Sequence, residues 1–240
     1  MEILEKYFPN LTSTQRQQLF SLDELYRDWN AKVNLISRKD IDNLYERHIL
    51  HSLCIAKCFK FKEDTEILDV GTGGGFPGIP LSIYFPKVKF HLIDGTLKKI
   101  KVVQDVIEKL ELENATAEQV RAEELKKRKF DFIVTRAVAE LPKLRLWSQR
   151  LFKEKEKNPM PNGLIALKGG NVNDEIKSLP QGEYTETYPI SDYFQEEFFK
   201  EKIEKIVTLD ALDRFIASIQ KKLQSYEVIA LYGSLGAGKT

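Results

Sequence analysis

The chain has 240 residues, 37 Lys and Arg against 36 Asp and Glu, 42% apolar residues and 30% charged ones, a globular balance that excludes disordered and collagen-like classes. A net charge of +1 neither requires nor forbids a polyanionic partner, so the placement of charge decides. No window nears 18 uninterrupted apolar residues, the amino terminus has no signal-peptide pattern, and there are two cysteines, so no membrane span is expected and a reducing, cytoplasmic compartment is.

Residues 1–60 read as a helical extension. Thr12-Ser13-Thr14 offers cap residues for a helix with Leu19, Leu22, Leu25, Tyr26 and Trp29 on one side. A second helix is predicted from near Lys39-Asp40, with Ile41, Leu44, Tyr45, Ile49, Leu53 and Ala56 at helical spacing. A polar, basic connection at 30–38 joins them.

From residue 64 the pattern changes. Short apolar runs stand at 66–70, 88–93, 130–134 and 164–168, with a weaker one at 115–120. Helix-like segments separate them at 77–85, 97–110, 121–128 and 139–153. Strand alternating with helix predicts an α/β fold with a mostly parallel sheet covered on both faces. Two closely joined runs, near 184–190 and 203–209, predict an antiparallel hairpin at one edge. The stretch 153–162, KEKEKNPMPN, reads as an exposed loop. Beyond it the organisation is a core over 61–208 and an appendage over 209–240, in which a helix is followed by a short strand at 228–232.

The strongest local signal is Asp69-Val70-Gly71-Thr72-Gly73-Gly74-Gly75-Phe76-Pro77-Gly78, between a buried-type strand and a helix-type run. Glycines let such a turn lie against a ligand without a Cβ in the way. Residues 73–78 satisfy the dinucleotide pattern G-x-G-x-x-G, but that match begins three residues beyond Val70 and holds a proline between its second and third glycines. An acidic strand end followed by Gly71, Gly73 and Gly75 fits S-adenosylmethionine (SAM) better. Asp69 then stands where an anion would face the cofactor's amine. Asp94 ends the second strand and can accept ribose hydroxyls, which suits either cofactor.

These residues and others along the chain resemble the RsmG (GidB) family, which methylates guanine N7 in small-subunit ribosomal RNA. Residues 1–208 carry the likeness: Trp29-Asn30-x-Lys32-x-Asn34-Leu35, Arg47-His48-x-x-His51-Ser52-Leu53, the DVGTGGGFPGIP run at 69–80, Arg121-Ala122-Glu123-Glu124, Arg136-Ala137 and Leu167-Lys168-Gly169. The resemblance implies a Rossmann-like SAM-dependent methyltransferase fold with a helical amino-terminal extension. It implies a cofactor site using Gly71 and Phe76, with Ala122-Glu123 beside the adenine and Arg136 after the fourth strand. Gly73, Gly75 and Asp94 join that site on the physical argument above.

Guanine N7 already presents a lone pair, so methyl transfer needs alignment rather than a base to remove a proton. No catalytic dyad is expected; Arg136 and Lys168 are the candidates nearest the chemistry. The partner expected is 16S rRNA or the small ribosomal subunit, met by a monomer. Residues 32–60 hold six basic side chains and three acidic, and 143–157 hold six basic and two acidic. Lys32, Arg38, Lys39, Arg47 and His48 are RNA-contact candidates from the first stretch. Lys143 and Arg145 come from the second, and Lys168 ends a strand on the ligand side of the sheet. For each, an ordinary solvated or structurally paired charge is the competing reading.

His48, His51, Cys54 and Cys58 invite a metal reading, but on one helix they would span about 15 Å, too far for a single ion. No metal is expected. Tyr193, Phe194, Phe198 and Phe199 could stack on a base, though core packing is the commoner role. Finally, Gly233–Thr240 matches the phosphate-cradling pattern G-x-x-x-x-G-K-T, and 209–240 resemble the truncated start of a TsaE (YjeE) family ATPase. The alternative function is therefore nucleotide binding linked to tRNA threonylcarbamoyladenosine formation.

Overall fold

The computed structural model describes residues 1–33, 35–37, 40–181, 183–201 and 205–210. Arg38 and Lys39, two of the RNA-contact candidates, lie outside the described residues, as do Asn34 and the phosphate-loop pattern at 233–240.

Seven strands form one sheet in the order β3-β2-β1-β4-β5-β7-β6. They are β1 (Glu66–Val70), β2 (Lys89–Asp94), β3 (Ala115–Gln119), β4 (Phe132–Arg136), β5 (Gly163–Lys168), β6 (Tyr184–Pro189) and β7 (Lys205–Asp210). The first five pair in parallel; β7 runs antiparallel to both β5 and β6. The apolar runs of β1, β4 and β5 are buried along nearly their whole length, as strands covered on both faces must be. The chain winds outward from β1 to β3, then returns to lay β4 on the other side of β1. That reversal opens a crevice beyond the carboxyl ends of β1 and β4, where ligands settle in such sheets.

The amino-terminal helices close one flank of this crevice. The helix Ser13–Lys32 starts in a capping box: the Gln15 amide donates to Thr12 Oγ1 at 3.2 Å and the Thr12 amide to Gln15 Oε1 at 2.9 Å. Gln15 Nε2 then donates to the carbonyls of Ile83 and Tyr84, binding this helix to the end of Gly78–Tyr84. Leu19, Leu22 and Tyr26 are buried against the core. Asn30 Oδ1 accepts the amides of Leu35 and Ile36, both at 2.9 Å, and Trp29 Nε1 donates to Asp105 Oδ2 at 2.6 Å. These bonds turn the connection toward the crevice.

The single helix expected from residue 39 is broken up. A short turn at Ile41–Asn43 leads into a widened helix at Tyr45–Leu50, followed by His51–Leu53 and Ile55–Cys58. The His51 amide reaches back five residues to the Glu46 carbonyl, and the Ser52 hydroxyl takes the His48 carbonyl at 2.6 Å. The helix expected at 121–128 is also absent; that stretch is a series of turns. The one at 139–153 is shorter, Leu141–Ser148.

Candidate functional site

β1 delivers Asp69 beneath the glycine turn rather than into the open. Asp69 is fully buried, and its Oδ2 accepts the Thr72 hydroxyl at 2.6 Å and the Gly78 amide at 2.8 Å. It ties the two ends of the loop together. Burial pushes its carboxyl up to about 7, against the pull of those two bonds and of Arg136. The expectation that Asp69 is an anion facing a cofactor amine is thus corrected: the side chain is sealed beneath the loop, with Oδ2 taking both bonds and Oδ1 buried without a hydrogen-bond partner among the described residues.

The turn itself is held by close approach. Gly71 has φ +66°, and a Cβ there would lie 2.5 Å from Val138 Cγ2. Gly75 has φ +100°, and its Cβ would lie 2.6 Å from Ile79 Cγ1 and 3.0 Å from the Tyr26 hydroxyl. Both positions require glycine. The Gly73 amide donates to Asp94 Oδ2 at 3.1 Å, and the Thr96 amide to Asp94 Oδ1 at 2.8 Å. Lys99 Nζ stands 3.8 Å from Asp94 Oδ2.

Two adjoining cavities, of about 370 and 360 Å³, share Gly71, Asp94 and Val138 as walls. The first is walled also by Gly73, Phe76, His48, Lys99 and Arg136. The second is walled by Ala122, Glu123, Arg121, Lys143 and Trp147. The crevice therefore has two chambers with a carboxylate between them.

Phe76 is buried and ringed by Tyr26 at 4.9 Å, His48 at 5.2 Å and the Arg136 guanidinium at 5.1 Å. Arg136 also bonds His48 Nδ1 at 3.0 Å and the Arg47 carbonyl at 3.3 Å. So the end of β4, the glycine loop and the widened helix meet at one point. In the second chamber Ala122 is buried and Glu123 exposed. Their turn is anchored by Arg150, whose guanidinium donates to the carbonyls of Ala122, Glu123 and Leu125 at 2.5–2.9 Å.

The predicted cofactor residues Gly71, Gly73, Phe76, Asp94, Ala122, Glu123 and Arg136 all line these chambers, and Gly75 shapes the loop from behind. The RNA-contact candidates scatter. His48 and Lys143 reach the crevice, Lys143 lying 5.0 Å over the Trp147 ring. Lys32 pairs with Asp28 at 2.8 Å, Arg47 with Asp40 at 2.5 Å and Arg145 with Glu183 at 2.5 Å. Lys168, 11% exposed, pairs with Glu175 at 2.9 Å and donates to the Ala139 carbonyl at 3.0 Å. Phe194 and Phe199 are core residues that pack on each other, Phe194 also meeting Tyr7 edge-on and Phe8 at a tilt, and are not presented to a base.

His48 and His51 diverge, His51 packing against Phe198 and Phe199. Among the described residues no three His, Cys, Asp or Glu side chains gather at metal-binding distance, and no helix is long and apolar enough to cross a membrane. Sequence reasoning missed Lys99, Val138 and Arg150. Lys99 had a visible signal, five residues past Asp94 in the following helix. Arg150 had none, because its partners lie 25–28 residues upstream.

Residues 15–205 match the family model GidB, described as rRNA small subunit methyltransferase G. A ribosomal RNA small subunit methyltransferase G from Flavobacterium johnsoniae is 53% identical over 209 residues, covering 87% of this chain and 97% of that protein. Its counterpart from Phocaeicola vulgatus is 50% identical over 212 residues, covering 88% and 100%. Two solved structures share the fold at 12% identity. A mutant of MtNAS in complex with S-adenosylmethionine has a TM-score of 0.52 over 82% of this chain and 75% of that one. A precorrin-6y C5,15-methyltransferase from Geobacter metallireducens has 0.50 over 74% and 90%. The fold is the Rossmann-like one of SAM-dependent methyltransferases.

Proposed function

This chain belongs to the GidB family of small-subunit rRNA methyltransferases, and we propose that it moves a methyl group from SAM to N7 of a guanine in 16S rRNA. The observation that carries the cofactor reading is the two-chambered crevice with Asp94 at its waist. Its size suits a small-molecule cofactor. Asp94 spends one lone pair on each of two backbone amides, leaving acceptor capacity for two ribose hydroxyls. Ala122 and Glu123 would flank the adenine, while Lys99 and Arg136 offer positive charge to the amino-acid carboxylate. Gly73 leaves open space at the waist, while Gly71 lets Val138 approach it closely.

When bound, SAM supplies an electrophilic methyl on its sulfonium. The chain's own task is to align that methyl with an acceptor that needs no deprotonation. The surroundings of His48 agree with such chemistry: its Nδ1 meets the Arg136 guanidinium, a poor setting for a general base. The target base would have to leave its stack to reach the first chamber. With an rRNA substrate and a SAM cofactor, the protein would work in the cytoplasm.

The test is transfer from labelled SAM to small subunits, or 16S rRNA, lacking the modification. Nucleoside analysis should find the label in 7-methylguanosine; label in another nucleoside, or none, contradicts the proposal.

A further inference from the structure

The crevice is walled on one side by a short segment whose placement has an identifiable cause. Past the end of β4 the chain turns through Ala137, a non-glycine residue at φ +52°. That left-handed conformation is unfavourable for a residue with a Cβ and needs external support. The next residue, Val138, is 37% exposed, walls both chambers and sits against Gly71.

The support comes from β5 and the short helix Asn173–Lys177. Lys168 Nζ donates to the Ala139 carbonyl at 3.0 Å and pairs with Glu175 Oε2 at 2.9 Å. The same Glu175 oxygen accepts the Leu141 amide at 2.8 Å. One ion pair thus grips the segment on both sides of Glu140, at the carbonyl of Ala139 and the amide of Leu141. Lys168 and Glu175 are only 11% and 22% exposed, so solvent competes weakly for these bonds.

We propose that Lys168 and Glu175 are positioning residues: they latch the 137–141 segment so that Val138 stays against Gly71 and sets the width of the cofactor crevice. Lys168 then touches neither RNA nor the reacting atoms. Its charge is used internally. This rests on the reading of the crevice as a SAM site, while the latch itself is a property of the protein without cofactor.

Two readouts separate the two ideas. Hydrogen exchange at the Leu141 amide, in protein without cofactor, reports the latch; calorimetric titration with S-adenosylhomocysteine (SAH) reports the crevice. In Lys168→Met the Leu141 amide should exchange faster and the SAH dissociation constant should rise about tenfold. Glu175→Gln, which keeps an acceptor for Leu141 but removes the charge, should shift both in the same direction by less. Lys168→Arg should restore SAH affinity to within a few-fold. Unchanged exchange and unchanged SAH affinity in both Lys168→Met and Glu175→Gln would overturn the latch. So would weaker rRNA binding with SAH affinity intact. If the unaltered protein fails to bind SAH, the cofactor reading falls, and the exchange measurement still decides the latch.

Discussion

The Tyr26 hydroxyl donates to the Gly74 carbonyl at 2.6 Å, joining the amino-terminal helix to the middle of the glycine loop. Tyr26 is completely buried, and its burial raises the phenol well above its usual range, so it stays a donor at every physiological pH. The extension is therefore part of the glycine loop's support. Tyr26→Phe should cost about 1–2 kcal/mol in a urea titration. It should also weaken SAH binding several-fold while leaving the helix content of the circular dichroism spectrum in place.

Glycine substitutions should separate crowding from strain. Gly71→Ala puts a methyl into Val138 at a positive φ, so it should lower stability by about 2–4 kcal/mol and abolish measurable SAH binding. Gly170 also has a positive φ, +75°, but a Cβ there meets nothing within 4 Å. Gly170→Ala should cost only about 1–2 kcal/mol and leave SAH affinity alone. Differential scanning calorimetry and titration of both variants check the contrast.

Asp69 makes stability depend on pH in a stated direction. Its carboxyl ionises near 3.8 when exposed but near 7 in the fold. Between those values the unfolded chain has released its proton while the folded chain still holds it. The group's contribution to stability therefore falls as pH rises from about 4 to about 7 and is flat beyond. Asp69→Asn keeps acceptors for Thr72 and Gly78 but cannot ionise. Relative to this variant, the unaltered protein should lose stability on going from about pH 5 to about pH 8 in urea titrations. A constant difference would contradict the assignment.

Arg136 joins three elements through a planar group. Lysine keeps the charge but loses the stack on Phe76 and the paired donation to His48 and the Arg47 carbonyl. Arg136→Lys should reduce kcat on the order of 100-fold, with SAH affinity changed less than tenfold. Lysine still offers charge to the cofactor carboxylate, so a loss confined to affinity would leave Arg136 with cofactor binding alone and no part in alignment.

Much of this was legible in the residues. Buried strands announce themselves by runs such as EILDV and LIALK, and Gly71, Asp94 and Arg136 come together in the crevice because strand ends fix them. Two of the differences share a cause, partners distant in sequence. Nothing local marks 121–128 as turns, since Arg150 is what satisfies their carbonyls. Lys168 looked like a ligand-facing cation because Glu175 could not be paired with it beforehand. Residues 41–58 do carry helical periodicity, but the reach from His51 back to Glu46 widens the coil and turns His48 toward Arg136. Asp69 was misjudged for the opposite reason: its partners are near, at Thr72 and Gly78, yet the loop folds over it.

The most direct measurement is a crystal structure of the protein soaked with SAH. The account predicts density running through both chambers past Val138, with the ribose hydroxyls on Asp94 and the adenine beside Ala122. Density at any other place, or a crevice filled by protein side chains at saturating SAH, would contradict it.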